Sequence, residues 1–307
     1  MNVVTRRRKP SERYITYLQN IDEEWVVMGL NAHFRSERPV SRSELRMFVG
    51  KLYFTYRRYF QWIFNRSIKY AAIIKDTPLP YLIFTHSTPL FRRLRNVDMW
   101  LQQNKVTNLK LAAVKINGLI LKPGETFSLW RLVGKPTMVK GFKEGMVLTN
   151  GSFRPGVGGG LCQLSNLIYW MAIHTPLTVT ERWRHTHDVF PDTNRTQPFG
   201  SGATVVYNYI DLQIRNDTSQ DYQLLLWISD VELNGEWRSE HSRTQNYEVY
   251  ESNHLISQEW WGGYMRHNEI RRRVFDADNK QIGNDFITDN HAIMMYEPML
   301  PEYKETV

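Results

Sequence analysis

A single cysteine inside a glycine-rich stretch is the part of this sequence best suited to chemistry. Residues 156–165 read Gly-Val-Gly-Gly-Gly-Leu-Cys-Gln-Leu-Ser and contain Cys162, the only cysteine among 307 residues. Glycine adopts positive φ angles easily and lets a backbone come close to a ligand. From Leu161 onward, apolar residues recur at helical spacing. The pattern therefore predicts a thiol in the first turn of a helix.

A thiol in that position has a defined chemical use. The unpaired N–H groups and partial positive charge of a helix N-terminus lower a cysteine pKa from about 8.5 to roughly 3.5–7.5, which produces a thiolate nucleophile. Backbone N–H groups beside it can hold an oxyanion. The residues expected to form this loop and oxyanion site are Gly158, Gly159, Gly160, Gln163 and Ser165. The alternative is a buried structural cysteine, because free cysteine is among the most buried residue types.

A histidine-containing segment could supply the base. Residues 178–189 are rich in β-branched and aromatic residues and predict one strand that ends near His187, with His185 on the same face. An imidazole next to Cys162 would act as general base and then as general acid. Three acidic residues are available to orient it: Glu181, Asp188 and Asp211.

The same residues allow two other interpretations. Cys162, His185 and His187 would also suit a zinc site of Cys-His-His type. A strand end rich in arginine and histidine can instead be a solvated edge that discourages aggregation. The residues alone leave all three interpretations open.

The chain resembles the VanW family, the accessory proteins named for the B-type glycopeptide-resistance cluster. The resemblance runs from about Leu79 to near the C-terminus, and the glycine–cysteine signature is its most specific part. It rests on residues 79–82, 108–113, 121–128, 158–163 and 165–166, on Glu181, Arg182 and His185, and on the tail 259–264 with 266–268.

The resemblance implies cell-wall chemistry. Some exported VanW-domain proteins are thought to resemble L,D-transpeptidases, whose cysteine cleaves a stem-peptide bond through a thioester and passes the acyl group to an amine. Carried over, Cys162 is the nucleophile, His185 is the base, and Gly159 and Gly160 are oxyanion donors. Glu181 and Arg182 are expected to contact the ligand.

This chain departs from the family pattern at two positions. Trp183 stands where members often have a second histidine, and Gly202 stands where many have aspartate before an Ala-Thr-Val strand. The third member of a Cys-His triad is therefore left open. In the tail, Trp260 and Trp261 are expected either to stack on sugar rings or simply to pack.

Composition restricts the class of partner. A formal charge of +8 with a pI near 9.4 indicates an anionic partner, which is nucleic acid, a phospholipid surface or a lipid-linked wall precursor. No zinc finger, RRM signature or P-loop appears, so nucleic acid is the weakest of the three, and no cofactor is expected. One cysteine excludes an intrachain disulfide.

Residues 41–75 form a basic, aromatic-rich segment with a helical apolar pattern that includes Phe48, Leu52, Tyr56 and Ile63. Such a helix can lie in the interface of an anionic membrane. It can also dock its aromatic stripe on the rest of the protein, which helices of globular proteins do far more often.

The expected fold class is α+β. A basic helical segment, residues 1–78, precedes a mixed VanW-like domain, residues 79–307, with antiparallel hairpins and the Trp-rich tail. Asn150-Gly151 and Asn234-Gly235 mark two hairpin turns, and the second is the stronger signal.

The sequence shows neither an apolar segment after Arg6, Arg7 and Arg8 nor an apolar run of the ~18 residues a membrane span needs. The expected location is therefore cytoplasmic, peripheral at the inner membrane face. Two function classes follow, a cysteine-dependent acyl transferase on peptidoglycan stem peptides and a non-catalytic accessory that binds wall precursors or a resistance partner.

Overall fold

The structure is a computed structural model that describes residues 43–91, 98–149, 152–189 and 197–298. The chain divides into two units. Arg42–Gln258 and Gly263–Val307 form the larger one, and Glu259–Gly262 belongs to the other.

The described residues of the larger unit contain four α-helices. They are α1 (Glu44–Phe64), α2 (Met99–Ala113), α3 (Leu129–Val133) and α4 (Cys162–Ala172), with a 3₁₀ turn at Met138–Lys140. The Ser43 hydroxyl accepts the Arg46 N–H at 3.4 Å and begins α1. The helix ends at Phe64, and Asn65 Oδ1 then accepts the Ser67 N–H at 3.1 Å in a local turn. The basic segment predicted at 41–75 is thus helical only in part.

Fifteen strands are found in the described ranges. They are β1 (Lys69–Tyr70), β2 (Ile73–Ile74), β3 (Tyr81–Pro89), β4 (Leu119–Leu121), β5 (Glu125–Ser128), β6 (Glu144–Thr149), β7 (Ser152–Val157), β8 (Thr178–Glu181), β9 (His187–Asp188), β10 (Gln213–Arg215), β11 (Tyr222–Ile228), β12 (Glu232–Ser239), β13 (Asn246–Gln258), β14 (Tyr264–Phe275) and β15 (Gln281–Met294).

Antiparallel pairing dominates the four sheets. The strand orders are β2-β4-β11-β12-β3, β1-β5-β10-β8, β13-β14-β15-β9 and β6-β7. Among the described strands, only β1 with β5 and β9 with β15 pair in parallel. The predicted α+β class is confirmed. Strand β1 pairs with β5 and strand β2 pairs with β4, so two sheets contain strands from both sides of the domain boundary predicted at residue 78. That boundary stays a prediction.

The main core lies between α4, α2 and the five-stranded sheet. Eight residues of α4 are buried, and the helix packs on β12 and β3 while α2 packs on β11. Leu119, Leu224, Leu233 and Trp237 are completely buried on the sheet side. This core holds the start of α4, and with it Cys162, in place.

The pair Asn234-Gly235, the strongest turn signal in the sequence, does not form the turn of its hairpin. Strands β11 and β12 do form a hairpin, but Ser229 bonds to Glu232 at the turn, while Asn234 and Gly235 pair inside β12 with Trp227 and Leu226. A Cβ at Gly235 would lie 2.6 Å from Met171 Cε of α4. Gly235 thus leaves room for the Met171 side chain to pack against β12, and it does not form a turn. The second predicted turn, Asn150-Gly151, is flanked by the paired strands β6 and β7 and itself lies outside the described residues.

Within the described ranges, every helix is too short or too polar to cross a bilayer.

Candidate functional site

Cys162 is the first residue of α4, as the sequence predicted. Leu161 is the N-cap and makes no side-chain capping bond. The chain reaches this helix from β7 through Gly158, Gly159 and Gly160. The thiol therefore stands at a helix N-terminus that follows directly on a glycine turn.

The glycines are required by the backbone and its close contacts. Gly158 has φ +78 and Gly160 has φ +91, both in the left-handed region. A Cβ at Gly159 would lie 2.2 Å from the carbonyl carbon of Gly145 in β6, which no side chain can occupy. The run thus lets the loop lie directly against β6.

Two of the three glycine N–H groups are already used. Gly158 donates to the Lys143 carbonyl at 3.0 Å, and Gly159 donates to the Gly156 carbonyl at 2.9 Å. Asn108 of α2 fastens the same turn, because its Nδ2 donates to the carbonyls of Lys143 and Gly159, both at 2.9 Å. Gly159, which the resemblance made an oxyanion donor, therefore has its N–H engaged in the turn itself.

The Cys162 side chain is partly buried and packs against the main core. Its Sγ donates to the Val205 carbonyl, at an Sγ to oxygen distance of 3.9 Å. Burial raises the pKa of the thiol above its usual value. Desolvation thus opposes the lowering that the position at a helix N-terminus leads one to expect.

Gln163 and Ser165 fasten α4 to its neighbours. Gln163 Nε2 donates to Thr88 Oγ1 at 3.0 Å and to the Pro89 carbonyl at 2.9 Å. Ser165 Oγ lies 2.6 Å from the Ala203 carbonyl oxygen, to which it donates. Both side chains therefore have structural partners.

Gly202 also lies against this helix. Asn166 Oδ1 accepts the Ala203 N–H at 2.7 Å, and a Cβ at Gly202 would approach that same oxygen to 2.8 Å. An aspartate at position 202, which the family resemblance leads one to expect, would require the Asn166 side chain to move. The substitution thus changes how the segment before Val205 meets α4.

The histidines do not share one strand. The predicted strand breaks into β8 and β9, and His185 lies in the connection, where the Trp183 carbonyl accepts the Thr204 N–H at 2.8 Å. Burial, together with Arg184 and His187, lowers the pKa of His185, and burial lowers that of His187. Both imidazoles are therefore neutral at neutral pH.

Nothing in the described part of the chain forms a metal site. No group of three or more His, Cys, Asp or Glu side chains there could hold a metal ion, and Cys162, His185 and His187 do not form one. Thr186 Oγ1 lies 2.9 Å from His187 Nδ1 instead.

The orienting carboxylates have other partners. Asp188 accepts the Tyr296 hydroxyl at 2.9 Å and pairs with Arg266 Nη1 at 3.6 Å. Glu181 Oε1 accepts from Arg58 Nη2 at 2.5 Å and from the Asp211 N–H at 3.1 Å. These contacts attach α1 to β8.

Asp211 is completely buried next to that pair. It accepts the Ser128 hydroxyl at 2.5 Å and the Trp130 N–H at 3.1 Å. Burial raises the pKa of Asp211 to about 7, although these hydrogen bonds oppose the shift. Sequence reasoning named Asp211 and Glu181 but missed Arg58, whose pairing spans 123 positions and leaves no local signal.

Arg182 is a structural residue in this arrangement. It donates to the carbonyls of Gly200 and Gly202 and to Asn290 Oδ1, and its guanidinium lies 5.1 Å from the centre of the Tyr169 ring. Its donors hold the 200–202 segment and β15 together. A ligand would have to compete with these bonds.

The two tail tryptophans lie in the connection Glu259–Gly262, which the Gly262 N–H closes on the Glu259 carbonyl at 2.9 Å. Trp260 is 71% exposed, which leaves most of its ring surface open to solvent. Sugar stacking by Trp260 and Trp261 stays a prediction.

Comparison with known proteins places the glycine–cysteine loop inside a recognised domain. The family model described as VanW like protein matches residues 104–238. The chain is 43% identical over 167 residues to the vancomycin B-type resistance protein VanW of Enterococcus faecalis, over 54% of this chain and 61% of that protein.

A second relative is more distant. The uncharacterized protein YoaR of Bacillus subtilis is 33% identical over 113 residues, which cover 37% of this chain and 36% of YoaR. The matched regions thus span less than two thirds of either curated relative. No solved structure matches the chain.

The matched region contains α4, the glycine turn, Glu181, His185 and Asp211, whereas Arg58, the partner of Glu181, lies outside it. Over residues 104–238 this chain is thus similar to the VanW family, and the glycine–cysteine loop lies within that region.

Proposed function

We propose that this protein is a non-catalytic accessory protein of glycopeptide resistance that binds cell-wall precursors or a resistance partner, with Cys162 in a structural role. The environment of Cys162 carries the proposal. Its Sγ donates to the Val205 carbonyl, and its side chain packs on the core. The connection to resistance rests on the similarity to a protein named for vancomycin B-type resistance.

An acyl-transferring cysteine needs a thiolate and free donors for an oxyanion. Burial instead raises the pKa of the Cys162 thiol, and the N–H groups of Gly158 and Gly159 already donate to the carbonyls of Lys143 and Gly156. The formal charge of +8 fits a precursor that carries phosphate or carboxylate groups. These observations favour binding over catalysis.

A second candidate is the cysteine-dependent acyl transferase. The position of Cys162 in the first turn of α4 favours it, and a neutral His185 has the protonation state of a base. In that reaction Cys162 Sγ, after giving its proton to His185, attacks a stem-peptide carbonyl. The amide bond breaks, and the leaving amine takes the proton. The acyl group is then held as a thioester on Cys162. A second amine attacks the thioester carbonyl, the C–S bond breaks, and a new amide forms while Cys162 Sγ regains a proton from the attacking amine.

The alkylation rate of Cys162 with iodoacetamide, measured against pH in the native full chain, distinguishes a non-catalytic accessory protein from an acyl transferase. In the accessory protein the rate stays low at neutral pH and rises only above the ordinary thiol pKa of about 8.5. The His185→Ala variant has the same profile. Incubation with a synthetic stem pentapeptide gives no peptide adduct in the intact mass.

An apparent pKa below about 7.5 that rises in His185→Ala, together with a thioester adduct lost in Cys162→Ala, would establish the acyl transferase instead. Cys162→Ala removes only one partly buried group, so we expect it to cost about 1 kcal/mol and to stay folded. Circular dichroism of both variants provides the control.

A further inference from the structure

Helix α1 is attached to the protein along one face, and its contacts there are mainly polar. Residues at positions 55, 58, 59 and 62 share that face. Arg58 pairs with Glu181, the Tyr59 hydroxyl lies 2.8 Å from that of Tyr207, and the Thr55 carbonyl accepts Asn208 Nδ2 at 3.4 Å. Arg58 is the only buried residue of the helix. The docking thus uses little of the apolar surface of α1.

A second face of α1, adjacent to the first, is apolar and open to solvent. Leu45 is 73%, Tyr56 67%, Phe60 64% and Ile63 68% exposed. The α1 apolar face comprises Leu45, Val49, Leu52, Tyr56, Phe60 and Ile63, whose helical positions lie within one arc of the helix. It extends for roughly 27 Å along the helix axis at 1.5 Å per residue.

Exposed cations surround this face. Glu44 is the only acidic residue between positions 43 and 75. The cations exposed on or just after the helix are Arg46, Lys51, Arg57, Arg66 and Lys69. Arg58 differs, because its charge is already paired with Glu181.

The residue types of the α1 apolar face and the cations around it together indicate which kind of partner it binds. Interfacial helices place leucine and aromatic side chains in the headgroup region while lysine and arginine bind anionic lipids. Tyrosine suits this depth because its ring is apolar and its hydroxyl stays wet. A second copy of the chain would bring the same cations together, and like charges oppose such an interface.

We propose that the α1 apolar face binds the surface of an anionic phospholipid bilayer. The helix lies flat on the membrane, the apolar side chains enter the headgroup boundary, and the cations contact lipid phosphates. The polar docking face keeps the VanW-like domain attached above it. This inference does not depend on whether Cys162 is catalytic.

Vesicle co-sedimentation of the full chain tests the proposal. Vesicles of phosphatidylcholine with about a third phosphatidylglycerol are compared with pure phosphatidylcholine, and we expect at least tenfold stronger binding to the anionic ones. Arg46→Gln and Arg57→Gln should each weaken binding about fivefold. Lys122→Gln and Lys280→Gln, at exposed positions elsewhere, should leave it nearly unchanged.

Tyr56→Ser/Ile63→Ser should weaken binding at least tenfold, because two apolar anchors are lost. Met138→Ser/Val139→Ser is the matched control, since these residues are 73% and 99% exposed on the 3₁₀ turn. Leu45→Ser/Val49→Ser repeats the test in case the first pair disturbs folding, which circular dichroism reports.

Three results would overturn the proposal. One is equal binding to both kinds of vesicle, and another is unchanged binding of both apolar double variants. The third is absence of vesicle binding with a concentration-dependent dimer, seen by sedimentation velocity and lost in Tyr56→Ser/Ile63→Ser, which would identify a second copy as the occupant.

Discussion

Asp211 is a buried carboxyl group that changes its protonation near neutral pH. It lies beside Ser128 and Glu181 and has no solvent exposure. Desolvation disfavours its charge and raises its pKa to about 7 in the folded protein. The stability of the folded protein therefore depends on pH through this one residue.

The sign of that dependence follows from the direction of the shift. An unfolded aspartate loses its proton near pH 4, whereas folded Asp211 keeps it to about 7. The folded state therefore binds more protons in this window, and Asp211 lowers the free energy of unfolding as pH rises from 4 to 7. Three pH units correspond to on the order of 4 kcal/mol.

We expect Asp211→Asn to remove most of this decrease, measured by urea unfolding at pH 5 and pH 7.5. Asp217→Asn is the control, because that carboxyl is exposed and its partner Arg215 lowers its pKa, so it titrates below the window. A wild-type slope retained in Asp211→Asn would show that another group is responsible.

At the scale of elements, the junction between α1 and β8 depends on one ion pair. Arg58 and Glu181 have only 9% and 18% of their side-chain surface exposed. Removing one member of a buried pair leaves the other charge without compensation. The attachment of α1 should therefore be sensitive to this single contact.

Arg58→Met should lower the free energy of unfolding by about 3 to 5 kcal/mol, measured by urea denaturation. Arg57→Met, at the exposed neighbouring position, should change it by less than about 0.5 kcal/mol. Arg58→Met/Glu181→Gln should recover part of the loss, because the buried charge is then gone. Equal effects of Arg57→Met and Arg58→Met would contradict the assignment.

Across the whole molecule, burial is distributed unevenly. Helix α4 has eight buried residues among 11, whereas α1 has one among 21. Segments with few buried contacts open at lower free energy than the core. The two helices should therefore differ in local stability.

Amide hydrogen exchange followed by mass spectrometry should show this difference. We expect α1 amides to exchange much faster than those of α4, since α1 can open without exposing the core. Arg58→Met should accelerate exchange in α1 and leave α4 unchanged. Protection of α1 equal to that of α4 would mean that the polar contacts hold it more firmly than its burial indicates.

Features that depend on neighbours in the chain were predictable from the sequence. The start of a helix at Cys162 and the antiparallel hairpins of an α+β fold both follow from residue type and spacing. Local backbone preferences and apolar periodicity are enough to specify them.

Features that depend on distant contacts were decided by the tertiary structure. Gly235 has the sequence signature of a turn residue but lies inside β12 with Met171 of α4 packed against it. The predicted histidine strand breaks where the Thr204 N–H donates to the Trp183 carbonyl. Burial against the core raises the Cys162 pKa despite its place at a helix N-terminus. Desolvation and close packing are properties of a three-dimensional environment, so the sequence determined where the thiol stands in its helix, and only the fold decided its acidity.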